Sequence, residues 1–341
     1  MSIKIESVFV SFIKLNIIRL FAKINIHSPD TFTNMSFPNN LVRTYNQNDK
    51  NPLLSYLKGQ KASQTGNTFL QKIMEKGLQK PGYSVEKDLF LAWEKGRIVG
   101  WMNVFFESHI QRAVLSGYSR TTKNSADSLL ELSIERAGEL EAKKVHVYLP
   151  EKNNEARKFF INHGFVPVRT FLEMTIDFSK TPESANNISG PYDNHFKPGE
   201  EEQLAGLQNI CFEGSWDFNP NTTEDIRFWL ALTGTKIEDV IVEKKAKEFL
   251  GYCWNHLVLP DVKKASKKKG RIYMVGVHPA HRGLGIGKKL VRSGLSLLKA
   301  KDVQLVGLTV DETNVAGKAL YASLGFSLNS RNLWFEKHLK D

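Results

Sequence analysis

The chain predicts a mixed α/β (α+β) fold built twice over: two tandem domains of one kind, each a mixed central sheet flanked by helices. Three observations carry this expectation. Short apolar runs of strand character alternate with helical patterns, which puts both element types in the same domain. The segment Asn153 to Gly164-Phe165 recurs as Asn314 to Gly325-Phe326, with one constant offset of 161 residues. The 341-residue length suits two domains of about 140–150 residues, each able to build its own core. Hydrophobic residues make up 41 % and charged residues 24 %, without a low-complexity tract, so a globular protein is expected rather than a disordered one.

Residues 1–34 match neither copy and form an N-terminal extension. Ser2 to Ile26 is rich in Ile, Phe and Leu, but Lys4, Glu6, Lys14, Arg19 and Lys23 interrupt it. No apolar run reaches the roughly 18 residues of a spanning helix, so no integral membrane span is expected. An interfacial amphipathic helix, a targeting peptide, and translation starting at Met35 are the readings this segment allows.

The first domain is expected over residues 40–178. Leu41 to Tyr45 reads as its opening strand, and Asp88 to Trp101 as a hairpin turning at Lys95-Gly96. Residues 179–194 read as a linker, because the stretch from Phe178 to Pro191 is polar and punctuated by Pro and Gly. The second domain is expected over 195–341. Glu200 to Ile210 reads as a helix with acids in its first turn, where they face the positive helix end. The following loop, Cys211 to Pro220, carries Glu213 and Asp217. Asp261 to Arg271 holds six positive side chains and one negative, and reads as a hairpin loop ahead of the strand Arg271 to Val277.

That strand runs into His278-Pro-Ala-His-Arg-Gly-Leu-Gly-Ile-Gly-Lys288, an arginine-led, glycine-rich turn that opens a helix. Successive backbone N–H groups at a positive helix end suit a ligand carrying pyrophosphate. Gly283, Gly285 and Gly287 let the backbone approach phosphate oxygens where a Cβ would collide. The spacing fits neither a P-loop nor a dinucleotide fingerprint: no Lys-Ser/Thr pair follows the last glycine, and no G-x-G-x-x-G opens a βαβ unit.

A helix (Lys288 to Lys301) and a strand (Val303 to Val310) come next, then Asn314 to Phe326. Asn314 is placed to cap a short helix and Gly325 to end it in the left-handed conformation. Val315, Ala319, Leu320 and Leu324 repeat at helical spacing and are expected to face the core, with Tyr321 on the adjacent stripe.

On these motifs residues 240–338 resemble the GNAT superfamily of N-acetyltransferases. The family's loop pattern Q/R-x-x-G-x-G/A is met by Arg282, Gly285 and Gly287, and its second pattern by Asn314, Leu320, Tyr321, Gly325 and Phe326. The resemblance implies acetyl-CoA as acyl-donor cosubstrate, no metal, and an amine acceptor. It assigns the pyrophosphate to the loop Arg282, Gly283, Leu284, Gly285, Ile286, Gly287 and Lys288, followed by Asn314. Val275, Gly276 and Val277 would pair with the pantetheine amide for amide and supply an N–H near the thioester carbonyl. Tyr321 would protonate the departing thiolate, since a phenol with a pKa near 10 is neutral at pH 7. Many members place a basic carboxylate on the strand before the loop. Arg271 to Val277 holds none, which leaves Glu213 and Asp217 as the candidate bases, with solvated loop acids or a water chain as the plainer alternatives.

The first copy is degenerate by the same criteria. Phe160 stands where Tyr321 stands, and Gly117 to Ser125 has a single glycine, at its start, so this copy is expected to be catalytically inactive. An intact copy behind a degenerate one resembles the mycothiol synthases and their tandem-domain relatives, over roughly residues 40–339. Those enzymes carry a glutamate where Arg271 stands here, and a positive charge there would repel a cationic acceptor. The resemblance therefore implies acetyl transfer without implying the mycothiol precursor as substrate.

Cys211 and Cys253 lie in different elements without metal spacing, and the histidines form no H-x-x-x-H pair on a helix, so a reduced cytoplasmic protein without a metal is expected. A net charge of +11 raises the question of nucleic acid, but no aromatic residues interleave the basic loop to stack bases, and no nucleic-acid partner is expected. The function expected is acetyl-CoA-dependent N-acetylation of a primary amine of a small molecule or peptide. It would run through the second domain by direct attack on the thioester. The alternative is a non-catalytic coenzyme A-binding regulatory or scaffold protein.

Overall fold

The protein is described from a computed structural model, which covers residues 40–59, 65–117, 123–180, 194–216, 218–233, 235–258 and 267–339. The N-terminal extension, most of the linker, residues 118–122 of the first copy's loop, Asp217 and residues 261–266 of the basic loop lie outside the described residues.

The chain divides into two compact units that do not follow its order. One comprises residues 40–169 together with 333–339, and the other Thr170–Asn332. Both are mixed sheets flanked by helices.

The first unit begins with β1 (Asn40–Thr44), α1 (Lys50–Gly59), α2 (Thr65–Lys76) and the single turn α3 (Val85–Asp88). Then come β2 (Leu89–Glu94), β3 (Arg97–Glu107), β4 (Arg112–Ser116), α4 (Lys123–Glu139), β5 (Lys144–Pro150) and α5 (Asn154–Asn162). The expected hairpin is β2–β3, and its turn residues Lys95 and Gly96 both take the positive φ of a tight hairpin. Strands β1 to β4 pair antiparallel, and β4 pairs with β5 in parallel. The core gathers Met102, Val104, Leu115, Leu129, Val147 and Phe160, and it includes Phe335 from the far end of the chain.

Strand β6 (Val166–Asp177) leads from one unit into the other. The second unit continues with α6 (Glu201–Phe212), α7 (Thr223–Thr233), β7 (Val240–Lys245), β8 (Glu248–Val258) and β9 (Lys269–Val277). It is completed by α8 (Ile286–Ala300), β10 (Leu305–Asp311) and α9 (Val315–Ser323), after which β11 (Ser327–His338) runs out of it. Its strand order is β7-β8-β9-β10-β6. Helix α8 packs one apolar face, Leu290, Val291, Leu295 and Leu298, against Ile272, Val306 and Leu308 of the sheet. Gly294 permits the close approach, because a Cβ there would stand 2.5 Å from Asn255 Oδ1.

A shift of 161 residues carries β5 onto β10, α5 onto α9 and β6 onto β11, end to end. Asn153 and Asn314 cap the two equivalent helices alike, accepting from the N–H of Ala156 and Gly317. Gly164 and Gly325 follow them with positive φ.

One expectation is corrected. In α9 and its caps Leu320 and Leu324 pack against the core as expected, but Val315 is 71 % exposed and Ala319 is also exposed, while Asn314, Gly317 and Tyr321 line the pocket and Tyr321 is buried at 2 %. Apolar spacing placed the face only in part, because Asn314 and Gly317, which share the pocket-lining side with Tyr321, are not apolar residues.

Candidate active site

The second unit's sheet opens into a wedge. Among the described residues, β10 pairs with β9 only at Leu305–Gly307 against Lys269–Arg271. On its other side β9 stays paired with β8 as far as Val277. Beyond Arg271 the β10-facing edge of β9 therefore offers its backbone groups to whatever fills the gap. A bulge falls within this stretch: Trp254 pairs with Met274 and Asn255 with Ile272, leaving Tyr273 as the extra residue.

The glycine-rich turn closes the broad end of the wedge. Pro279–His281 forms a short turn capped by His278 Nδ1, which accepts from the Ala280 N–H. Gly283 (φ 80°) and Gly285 (φ 79°) take the left-handed conformation that L-residues resist, and Gly285 is the N-cap of α8. The helix ladder starts with Lys289 N–H donating to Gly285 O, so the N–H groups of Ile286, Gly287 and Lys288 stand ahead of it at the positive helix end.

A pocket of about 290 Å³ joins wedge and turn. Val275, Gly276, Val277, Arg282, Gly283, Gly285, Ile286, Gly287, Lys288, Asn314 and Tyr321 all line it, which brings together all but one of the expected coenzyme positions and the expected acid. Leu284 does not line it and is 71 % exposed. Glu213 is exposed at the end of α6 and is not among the lining residues; Asp217 lies outside the described residues. Arg282 lines the pocket but directs its side chain at protein carbonyls: Nε donates to Val277 O (3.1 Å) and Nη2 to Cys211 O (2.8 Å). It thus ties the end of β9 to the end of α6.

Sequence reasoning missed Cys211 and Phe212, which form the wall on the α6 side. It also missed Glu173. This carboxylate accepts from Arg271 Nη1 (2.7 Å) and from the Thr309 hydroxyl (2.8 Å) where the wedge begins. The positive charge expected to repel a cation is met by a negative one from β6. No sequence signal marked Glu173, because it becomes a neighbour of Arg271 only through β10.

Burial sets the protonation states. It pushes the Tyr321 phenol above its ordinary value, with a smaller contribution from Cys253, so the hydroxyl keeps its proton at neutral pH. Burial likewise pushes the Cys211 thiol up to about 12, against a smaller opposing effect of Arg282. The thiol is therefore a poor nucleophile.

In the first unit the corresponding region differs. The Trp101 ring lies over Gly117, where an added Cβ would stand 2.2 Å from Cε3, and Phe160 replaces the tyrosine inside the core.

The splayed parallel pair, the left-handed glycine turn and the buried tyrosine all lie in the second unit, where residues 202–326 match the pattern of the acetyltransferase (GNAT) family. Among curated proteins, the chain is similar to the mycothiol acetyltransferase of Corynebacterium efficiens, 30 % identical over 187 residues. That match covers 51 % of this chain, which spans 59 % of the relative's length. Among solved structures, a tandem GNAT protein from the clavulanic acid biosynthesis pathway superposes with a TM-score of 0.64 at 14 % identity, over 89 % of this chain and all of that one. A Saccharomyces cerevisiae N-myristoyltransferase with bound myristoyl-CoA shares the fold at a TM-score of 0.59 and 10 % identity, over 96 % and 92 % of the two chains. Two tandem GNAT-like units make up the fold. No helix among the described residues is long and apolar enough to cross a membrane.

Proposed function

We propose that the second unit binds acetyl-CoA in the wedge and transfers its acetyl group to a primary amine of a small molecule or peptide. The observation that carries this reading is the convergence, in one pocket, of an exposed strand edge, a helix end with free N–H groups, and a buried protonated tyrosine.

The residues fit the coenzyme. The N–H groups of Ile286, Gly287 and Lys288, with the glycines ahead of them, would hold its pyrophosphate. The edge Val275–Val277 would hold the pantetheine amides as an added strand. Bound there, the coenzyme supplies an activated acyl group and a thiol leaving group. Tyr321, neutral and nearly dry, is the proton donor for that thiolate. Cys211 holds its proton too firmly to accept the acyl group itself, which favours direct attack by the amine. Glu213, exposed at the end of α6, remains the candidate base, and Asp217 accompanies it by sequence. The two reduced, buried cysteines fit a cytoplasmic protein.

One observation favours a second reading, a coenzyme A-binding protein without turnover: no carboxylate is among the described residues lining the pocket. The full chain, Tyr321→Phe and Gly285→Glu separate the two. Binding of one equivalent of acetyl-CoA, turnover of some amine in a panel, and loss of turnover but not binding in Tyr321→Phe support the enzyme. Gly285→Glu should abolish binding. Binding without turnover favours the second reading, and absence of binding rejects both.

A further inference from the structure

Acyltransferases of this fold handle acyl groups as long as myristoyl, so the architecture alone does not set acyl length. The side chains beneath Gly276 bear on it. Gly276 faces α6, and a Cβ built there would stand 2.8 Å from Tyr252 Cε1 and 3.0 Å from Cys211 Sγ. Tyr252 is the β8 partner of Gly276, so a ring whose far edge reaches that point leans across β9. The phenol is 0 % exposed and the thiol 1 %, and at these distances not even a methyl group fits behind the glycine without displacing them. Arg282 holds the Cys211 carbonyl and the Val277 carbonyl together, so this floor is braced against β9.

We infer that Tyr252 and Cys211, packed against Gly276, form a floor that closes the acyl end of the pocket and restricts the donor to short acyl groups. The inference rests on the reading that Val275–Val277 receives the thioester arm. An acyl chain that passes Gly276 and turns towards α6 meets the ring and the thiol, so a short group fits where a long one collides. The Tyr252 hydroxyl has no hydrogen-bond partner among the described residues, and burial holds the phenol well above its ordinary pKa. It is thus a neutral group, and because its ring is fully buried, moving it to make room would uncover the core.

The test is calorimetric titration of the full chain with coenzyme A and its acetyl, butyryl and hexanoyl thioesters, each affinity taken relative to free coenzyme A. The parent should bind the hexanoyl thioester at least about tenfold more weakly than the acetyl one, as overpacking of a filled site requires. Tyr252→Ala should level or invert that order, since each methylene that finds room adds about fourfold to affinity. Cys211→Ala should move the ratio the same way by less, and it carries the test if circular dichroism shows Tyr252→Ala unfolded. Tyr252→Phe keeps the ring and should keep the parental order. Equal affinity of the parent for acetyl and hexanoyl thioesters overturns the inference. So does a parental order retained in both Ala variants, while coenzyme binding itself stands. A parent that binds none of the four compounds overturns the proposed function and the inference with it.

Discussion

Arg271 and Glu173 are 98 residues apart in the chain and meet across β10, the guanidinium donating to the carboxylate at 2.7 Å while Thr309 bridges both. Their side chains are 12 % and 9 % exposed, so each is the other's compensation for lost water. Removing the carboxylate strands a largely buried charge, which costs about 3–5 kcal/mol. Glu173→Ala is therefore expected to lower the urea midpoint strongly, and Arg271→Met on top of it to restore part of the loss. An unchanged midpoint in the single variant would refute this.

Gly285 and Gly287 should respond in opposite directions to the same substitution. Gly285 has φ 79°, where an alanine is strained by roughly 1–2 kcal/mol. Gly287 lies in the helix, and a Cβ there meets Val277 and Leu320 at ordinary distances of 3.6 and 3.7 Å. Alanine at this position should stabilise by roughly 0.5–1 kcal/mol. Thermal unfolding of the coenzyme-free variants checks the pair, and shifts of equal sign would contradict the loop geometry.

Burial raises both thiols to about 12, which predicts alkaline sensitivity. Because the folded values are raised, the stability they contribute is full below the free-thiol value, about 8.5. It is lost as pH climbs from there through about 12. At pH 8 the native thiolate population is about a thousandfold below that of a free thiol. An aromatic disulfide reagent should accordingly react rapidly only after unfolding in urea; equal rates before and after would exclude this protonation state.

The first unit carries an acid-sensitive contact. His146 Nε2 lies 2.7 Å from Glu336 Oε2, and chiefly through this hydrogen bond the carboxyl is held down at about 2, with Lys144 and His338 adding to the effect. A lowered folded value means full stabilisation above the unfolded value of about 4.3. That stabilisation is lost as pH falls towards about 2. Glu336→Gln should flatten the urea midpoint across this interval, and a slope as steep as the parent's would remove the carboxylate from the account.

The parts of the site that were legible in the sequence are those made locally. Asn314 caps its own helix three residues on, Gly285 sits in its own turn, and both read correctly from neighbours in the chain. The Arg271–Glu173 pair and the Cys211 wall depend on strands and helices far apart in sequence, and no local pattern encodes which edge meets which. Tyr321 is legible as a candidate acid but its burial is not, because helical spacing reports apolar residues and the side of α9 that lines the pocket begins with an asparagine and a glycine.

Phe335 in the first unit's core gives that unit an unusual position in time. A ribosome releases the chain from its N-terminus, and an upstream domain commonly finishes folding while the next is being made. Here residues 40–169 wait for 333–339, so the segment translated first is the last to complete its core. Until then the incomplete sheet carries an unfilled place beside β5, and the nascent protein is exposed to strand-pairing errors while residues 170–332 are being made.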